Sequence, residues 1–512
     1  MRIPRASGLL LHITSLAGTM GSGTLGKEAS DFLRFLKEAG QSFWQVLPVG
    51  PVCGHLGNSP YASPSAFAGN THFISLEKLS AELDFAADLR QNPFAAGSDF
   101  IDFERLSAFR QPQLEKAADR FRRRAAREQE DFRGFCATQR TWLDDYSLYA
   151  ALARHIGSHD WLSWEEGLSG RRSDTLAHWQ RILAKEIETE KFLQYTFFRQ
   201  WRELKEVARR EGIRLIGDIP FYVNFESADA WAHPEIFDLH PQTHRPLAVA
   251  GVPPDYFSAA GQRWGNPLYR WRDSEGKLFE PTLEWWTRRI GHLLELVDMV
   301  RIDHFRGFEA YWAVPADEAT AVNGRWRPGP GREFFDRLRE RLGKLPLIAE
   351  DLGFITPEVE TLRTELGLPG MKILQFAFSG RPDNPYLPHN FRDSNSVVYT
   401  GTHDNNTANG WFYGTETAEA TKAFVQEYLG VGHRQQFHWQ LIRLALSSIA
   451  DLAIIPVQDV LGYGGEFRMN TPASAQGNWR WKLTPGALTA DVGDRLRGLC
   501  RLFNRLPAET AR

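Results

Sequence analysis

Short apolar runs recur along the chain, each followed by polar or glycine-rich residues and then by a stretch with apolar positions at helical spacing. That order predicts a parallel sheet whose strands are joined by crossover helices. Eight runs qualify, at residues 8–13, 42–47, 213–219, 299–304, 345–350, 371–378, 396–401 and 452–457. Helical patterns such as 27–40, 283–297, 331–342 and 357–367 lie between them. The count predicts an α/β fold, a closed (β/α)8 TIM barrel, with an open doubly wound sheet as the alternative.

Two connections are too long for ordinary βα loops. The first, residues 50–212, carries helical patterns around 103–135, 141–156 and 175–210 and is expected to be an inserted, mainly helical subdomain. The second, 220–281, is aromatic and rich in Pro and Gly and is expected to be an irregular region covering the cleft. Both leave from strand C-terminal ends, the barrel face that carries active sites. The expectation is one catalytic barrel over residues 1–512, with no separate C-terminal β-domain.

Composition removes several function classes. With 60 basic and 63 acidic residues the net charge is −3, which gives no electrostatic case for nucleic acid or an anionic membrane as partner. No window approaches transmembrane length, and the N-terminus reads as a first strand, not a targeting signal. Seventeen Trp and thirteen Tyr permit stacking on sugar rings, but on composition alone a large aromatic core accounts for them better. Cys53, Cys136 and Cys500 are scattered without metal-ligand spacing, which argues for a reducing compartment and against a disulfide framework or zinc site. A cytoplasmic location is expected, since a glycan on the sequon Asn405-Asn406-Thr407 would block residues needed for chemistry.

Candidate chemistry lies where apolar runs give way to charge. The run 296–300 ends in Arg301-Ile302-Asp303-His304. Strand alternation puts Arg301 and Asp303 on one face and His304 on the other, so a guanidinium stands beside a carboxylate and favours its ionised form. Asp218, the Glu350-Asp351 pair and His403-Asp404 end three other predicted strands. A closed barrel brings such ends to one mouth. Crowded carboxylates have their pKa values driven apart, so one can attack as an anion while another donates a proton, the division of labour that retaining glycosidic chemistry requires. Arg301, His304 and His403 make the cluster a poor cage for a hard cation, so no metal or cofactor is expected there. Gly21-Ser22-Gly23-Thr24-Leu25-Gly26 fits a dinucleotide-binding template, but the strand after it lacks the acidic residue for a ribose hydroxyl; it is read as a turn before a helix.

The motifs Gly217-Asp218-Ile219-Pro220, Arg301-Ile302-Asp303-His304, Ile348-Ala349-Glu350-Asp351-Leu352-Gly353 and Gly401-Thr402-His403-Asp404-Asn405-Asn406-Thr407 resemble the α-amylase superfamily. Leu11-His12-Ile13-Thr14-Ser15-Leu16, Asn58-Ser59-Pro60-Tyr61-Ala62-Ser63, Gly251-Val252-Pro253-Pro254-Asp255-Tyr256-Phe257-Ser258 and Arg468-Met469-Asn470-Thr471-Pro472 are similar more narrowly to the 4-α-glucanotransferase (amylomaltase, disproportionating enzyme) family, over nearly the whole chain. The resemblance implies Asp303 as nucleophile, Glu350 as general acid/base and Asp404 as the carboxylate gripping sugar hydroxyls. Alternation alone does not choose between Glu350 and Asp351. It further implies that Arg301 keeps Asp303 anionic and that His304 and His403 donate to hydroxyls. Asp218, Ser59, Tyr61 and Asn470 would contact the donor, and Tyr256 and Phe257 would lie on a covering loop with Trp264 near it. The partners implied are maltooligosaccharides, glucose and glycogen- or starch-derived glucans. An α-1,4-glucan hydrolase of the same superfamily and a non-catalytic glucan-binding barrel are the alternatives. Covering the cleft limits water and favours a glucan acceptor, and all three acids are present, so transfer is the expected reaction.

Overall fold

A computed structural model describes residues 3–84, 92–94, 98–254, 258–430, 436–474 and 476–507. Its centre is an eight-stranded parallel sheet. In chain order the strands are β1 (Ala6–Leu10), β2 (Phe43–Gln45), β3 (Arg214–Ile219), β4 (Met299–Ile302), β5 (Leu347–Ala349), β6 (Gly370–Ile373), β7 (Ser396–Tyr399) and β8 (Leu452–Pro456). β1 to β5 pair in succession, as do β6 to β8, and β1 pairs with β8. The remaining seam, β5 to β6, is bridged where the Ala349 N–H donates to the Pro369 carbonyl at 2.9 Å and the Met371 N–H to Asp351 Oδ1 at 2.7 Å. The sheet is thus a (β/α)8 barrel and not an open doubly wound sheet.

Strand alternation sorts the apolar side chains into two layers. Leu10, Phe43, Ile216, Met299, Ile348, Ile373, Tyr399 and Ile454, one from each strand, meet in a single interior cluster. Leu9, Trp44, Leu215, Val300, Leu347, Val398 and Ala453 face outward into the layer shared with the helices. The helix Lys27–Glu38 shows how that layer is built: its buried Ala29, Phe32, Leu33 and Leu36 form one stripe. Close approach of β1 to β2 requires Gly8, where a Cβ would stand 2.5 Å from the Phe43 carbonyl oxygen.

Between β2 and β3 the described residues form helices, among them Phe103–Arg122, Arg140–Ile156 and Ala184–Arg210. The helix expected over 103–135 is broken, because the Gln129 side-chain amide collects the carbonyls of Phe121, Arg122 and Arg124 (3.2, 3.3 and 3.0 Å) and so ends the first helix before Glu130–Thr138 begins. The helix expected over 175–210 is likewise two, Ser173–Ile182 and Ala184–Arg210.

The expectation of an irregular excursion over 220–281 is corrected. Ala248–Val252 and Gln262–Pro267 are strands of a four-stranded antiparallel sheet completed by Ala310–Pro315 and Arg325–Pro328, which follow β4. Half of that ladder comes from another part of the chain. Among the described residues no strand follows β8, only an isolated bridge between Phe100 and Trp481. The glycine-rich turn before Lys27–Glu38 is filled by its own chain: the Gly23 N–H donates to Thr14 at 2.9 Å, and a Cβ on Gly23 would lie 2.0 Å from the Ile13 carbonyl oxygen. Tight packing explains that glycine without a phosphate.

Candidate active site

The inward face of the barrel turns from apolar to charged at the C-terminal strand ends. On β3 the inward residues are Ile216 and then Asp218; on β4 Met299 and then Arg301, with Asp303 just beyond; on β5 Ile348, with Glu350 just beyond. The interior packing that fixes each strand therefore also aims its acid into the mouth.

Arg301 is the hub. Its Nη1 lies 2.9 and 2.7 Å from the two carboxylate oxygens of Asp218, and its Nη2 lies 3.0 Å from Asp303 Oδ1. The Arg301 and Asp218 side chains are 4% and 0% exposed, whereas Asp303 keeps 30% exposure toward the cleft. Asp218 caps no helix here; it also accepts the Tyr61 hydroxyl at 2.8 Å. Burial and the Asp218 charge hold the Tyr61 phenol well above its ordinary pKa, so it remains a donor.

Glu350 and Asp351, adjacent and indistinguishable by alternation, go to different places. Glu350 accepts the backbone N–H of His304 at 2.7 Å and of Leu352 at 2.8 Å, on the Asp303 side of the mouth. Asp351 is spent on the β5–β6 seam, taking the Met371 N–H and lying 3.1 Å from Arg363 Nε.

Arg301 stands beside Asp303, as strand alternation places it. Burial raises the Asp303 carboxyl from 3.8 to about 8; Arg301 opposes this, and Glu350, Asp218 and Asp404 reinforce it. One guanidinium serving two carboxylates does not offset the burial. Glu350 is raised too, by burial against the pull of Arg301 and the two N–H donors. The two acids are coupled, and burial raises both together.

β4 ends at Ile302, two residues earlier than expected, and His304 adopts a left-handed conformation (φ 51°, ψ 48°). Simple alternation therefore fails past Asp303. The turn lays the His304 ring against the edge of Trp264, centroids 4.9 Å apart, with Nε2 buried and unpartnered. Burial and Arg306 lower its pKa to about 3, so the ring is neutral. Trp264 lies on the antiparallel sheet, 40% exposed.

Asp404 stands on the opposite wall. Its Oδ1 accepts from Asn470 Nδ2 at 2.6 Å, its Oδ2 lies 3.4 Å from His403 Nε2, and its carbonyl accepts from Arg468 at 2.5 Å. His403 is buried, and burial lowers its pKa despite Asp404. The Tyr61 ring stacks on it at 5.0 Å and 15°. Ser59 makes no direct contact with the acids in the hydrogen bonds described; its hydroxyl takes the Tyr61 N–H at 3.3 Å and shapes that loop. Tyr256 and Phe257 lie outside the described residues. Two contributors had no assigned role: Arg468, inside a quoted motif, and Trp479, which tilts over both Tyr61 and His403 at 5.8 and 5.9 Å. The Gly477-Asn478-Trp479 turn beside Asn470 is the signal that could have found the latter.

Fold and site together define a (β/α)8 barrel with an acid-lined cleft at its C-terminal mouth. A family model described as 4-alpha-glucanotransferase matches residues 11–489. A 4-alpha-glucanotransferase of Thermus thermophilus is 50% identical over 513 residues, covering 99% of this chain and 100% of the relative. One from Synechocystis sp. is 46% identical over 504 residues, covering 98% of each. The solved amylomaltase from Streptococcus agalactiae in complex with acarbose superposes with a TM-score of 0.92 at 38% identity, covering 98% of this chain and 100% of that one. The chain belongs to the 4-alpha-glucanotransferase family and is a glycosyltransferase acting on α-glucans.

Proposed function

We propose that the enzyme moves an α-1,4-glucan segment from a maltooligosaccharide donor to the 4-hydroxyl of glucose or another glucan by a retaining, two-step reaction. Asp303 attacks the anomeric carbon as the glycosidic C–O bond breaks, and the proton on Glu350 passes to the leaving oxygen. A glycosyl ester on Asp303 remains. The acceptor 4-hydroxyl then attacks the same carbon, the ester bond breaks, and Glu350 takes the hydroxyl proton.

The observation that carries this reading is the placing of Asp303 and Glu350 near a single guanidinium, whose charge acts on both, with Glu350 among the charges that raise Asp303. A pair holding one proton has two arrangements, and Arg301 at 3.0 Å favours the one with Asp303 ionised and Glu350 protonated. Asp404, held by Asn470 and His403, accepts sugar hydroxyls. His304 Nε2 donates to a hydroxyl beside the cleaved bond, and Tyr61 and Trp264 supply aromatic faces for the sugars, a role also assigned to Tyr256 and Phe257 on the family resemblance. The glucans are of glycogen or starch origin. We assign the enzyme to the cytoplasm on its three unpaired thiols.

Incubation with maltotriose tests the reading. Longer oligosaccharides together with free glucose are the expected products; glucose and maltose alone would make the enzyme a hydrolase.

A further inference from the structure

Three side chains that the reaction leaves unused come together where the loop after β2 meets the helical insertion. Cys53, His55 and His159 each offer a ligand atom, and these atoms all lie within 4.8 Å of one another. Cys53 precedes the 3-10 turn Gly54–Leu56 that carries His55, while His159 arrives from the helical segment 106 residues later, its Nε2 3.9 Å from Cys53 Sγ. Metal–sulfur and metal–nitrogen bonds of about 2.3 and 2.0–2.1 Å at a tetrahedral angle give an S···N edge of about 3.5 Å. The Cys53–His159 edge therefore closes with a shift of a few tenths of an ångström, and the exposed His55 side chain turns in to complete the set. Cysteine spacing alone does not reveal such a cluster, because two of its three ligands are histidines.

The surroundings fit coordination. His55 Nε2 lies 2.9 Å from Glu226 Oε2, the kind of carboxylate partner that the outer nitrogen of a metal-bound imidazole takes. The donors are also held in place. The Cys53 carbonyl accepts the N–H groups of Leu56 and Asn58 at 3.1 and 3.0 Å, and the His159 carbonyl accepts the Tyr149 hydroxyl at 2.8 Å. Cys53 itself is 9% exposed, whereas His55 faces solvent and gives an ion its entry.

We propose that Cys53, His55 and His159 form a Zn²⁺ site, with water in the fourth position. One thiolate and two imidazoles select a borderline divalent ion over Ca²⁺ or Mg²⁺. Binding replaces the Cys53 thiol proton, which leaves to solvent, with a sulfur–zinc bond. The Cys53 turn runs directly into Ser59 and Tyr61, so the ion ties the loop that carries Tyr61 to the helical insertion. Its role is positional and stabilising.

The full chain, stripped with a chelator and dialysed, is titrated with Zn²⁺ and separately with Co²⁺. The expected result is one retained Zn²⁺ per chain, a rise in melting temperature, and a Co²⁺ form with a thiolate charge-transfer band and tetrahedral visible bands. Cys53→Ser should lose the charge-transfer band, and His159→Ala should weaken Zn²⁺ at least 10-fold, while metal-free maltotriose turnover shows each variant folded. Substoichiometric Zn²⁺, a Co²⁺ spectrum without the thiolate band in the unaltered chain, or binding unchanged in both variants would overturn the proposal.

Discussion

The Tyr61 hydroxyl donates to Asp218 at 2.8 Å, joining the loop after β2 to the end of β3 on a carboxylate that also holds Arg301. Removing only that hydroxyl tests what the link does. Tyr61→Phe forfeits a hydrogen bond to a charged acceptor, about 1.5–3 kcal/mol. The expected outcome is a fall of about 10- to 100-fold in kcat/KM for maltotriose with a fold unchanged by circular dichroism, because Arg301 still satisfies Asp218.

Arg301 is the harder loss. Arg301→Ala strands Asp218, whose side chain is fully buried, beside Asp303 without a cation. Breaking one partner of a buried pair costs about 3–5 kcal/mol. Urea unfolding should show a destabilisation of that size, and turnover should fall by more than in Tyr61→Phe.

Asp303 carries a cost in the folded state. Its carboxyl, ordinarily at 3.8, stands at about 8. Between those values the folded chain binds a proton that the unfolded chain has released, so the Asp303 contribution to stability is intact below pH 4 and declines as pH rises toward 8. Asp303→Asn removes that decline. The variant should be inactive yet melt higher than the unaltered enzyme at pH 8, with the difference shrinking toward pH 4; an equal or lower melting temperature at pH 8 would contradict the upward shift.

The same pair sets the pH–rate profile. Turnover needs one proton between Asp303 and Glu350, and both are shifted upward. The acid limb of kcat/KM is expected above the ordinary carboxylate range and the alkaline limb near pH 8. Glu350→Gln, assayed with a glycosyl fluoride whose leaving group needs no proton, should lose the alkaline limb.

The barrel was legible because a strand covered on both faces must be apolar, and eight such runs stand out even when long insertions separate them. The antiparallel sheet was not, because Ala248–Val252 pairs with Ala310–Pro315 across β4, and its partner cannot be read locally. In the site, the acids at the strand ends were readable from the break between apolar run and charge. The adjacency of Arg301 and Asp303 followed from alternation, but the Asp218 grip on the same guanidinium depends on the register of β3 against β4, where Asp218 lies opposite Arg301. The choice of Glu350 over Asp351 needed the β5–β6 seam, which consumes Asp351. His304 was misplaced on a strand because nothing in its type announces a left-handed turn. Cys53 and His159 illustrate the same limit at a distance of 106 residues.

The central claim is that Asp303 forms a covalent bond to the sugar while Glu350 manages the proton. Glu350→Gln incubated with a maltooligosaccharyl fluoride should accumulate the intermediate, since the fluoride leaves without an acid and the acceptor step lacks its base. Mass spectrometry of the digested protein should then find the glycosyl mass on the peptide containing Asp303. An adduct on a peptide holding Asp218, Asp404 or another carboxylate, or fluoride turnover with no adduct on Asp303 at any time, would contradict it.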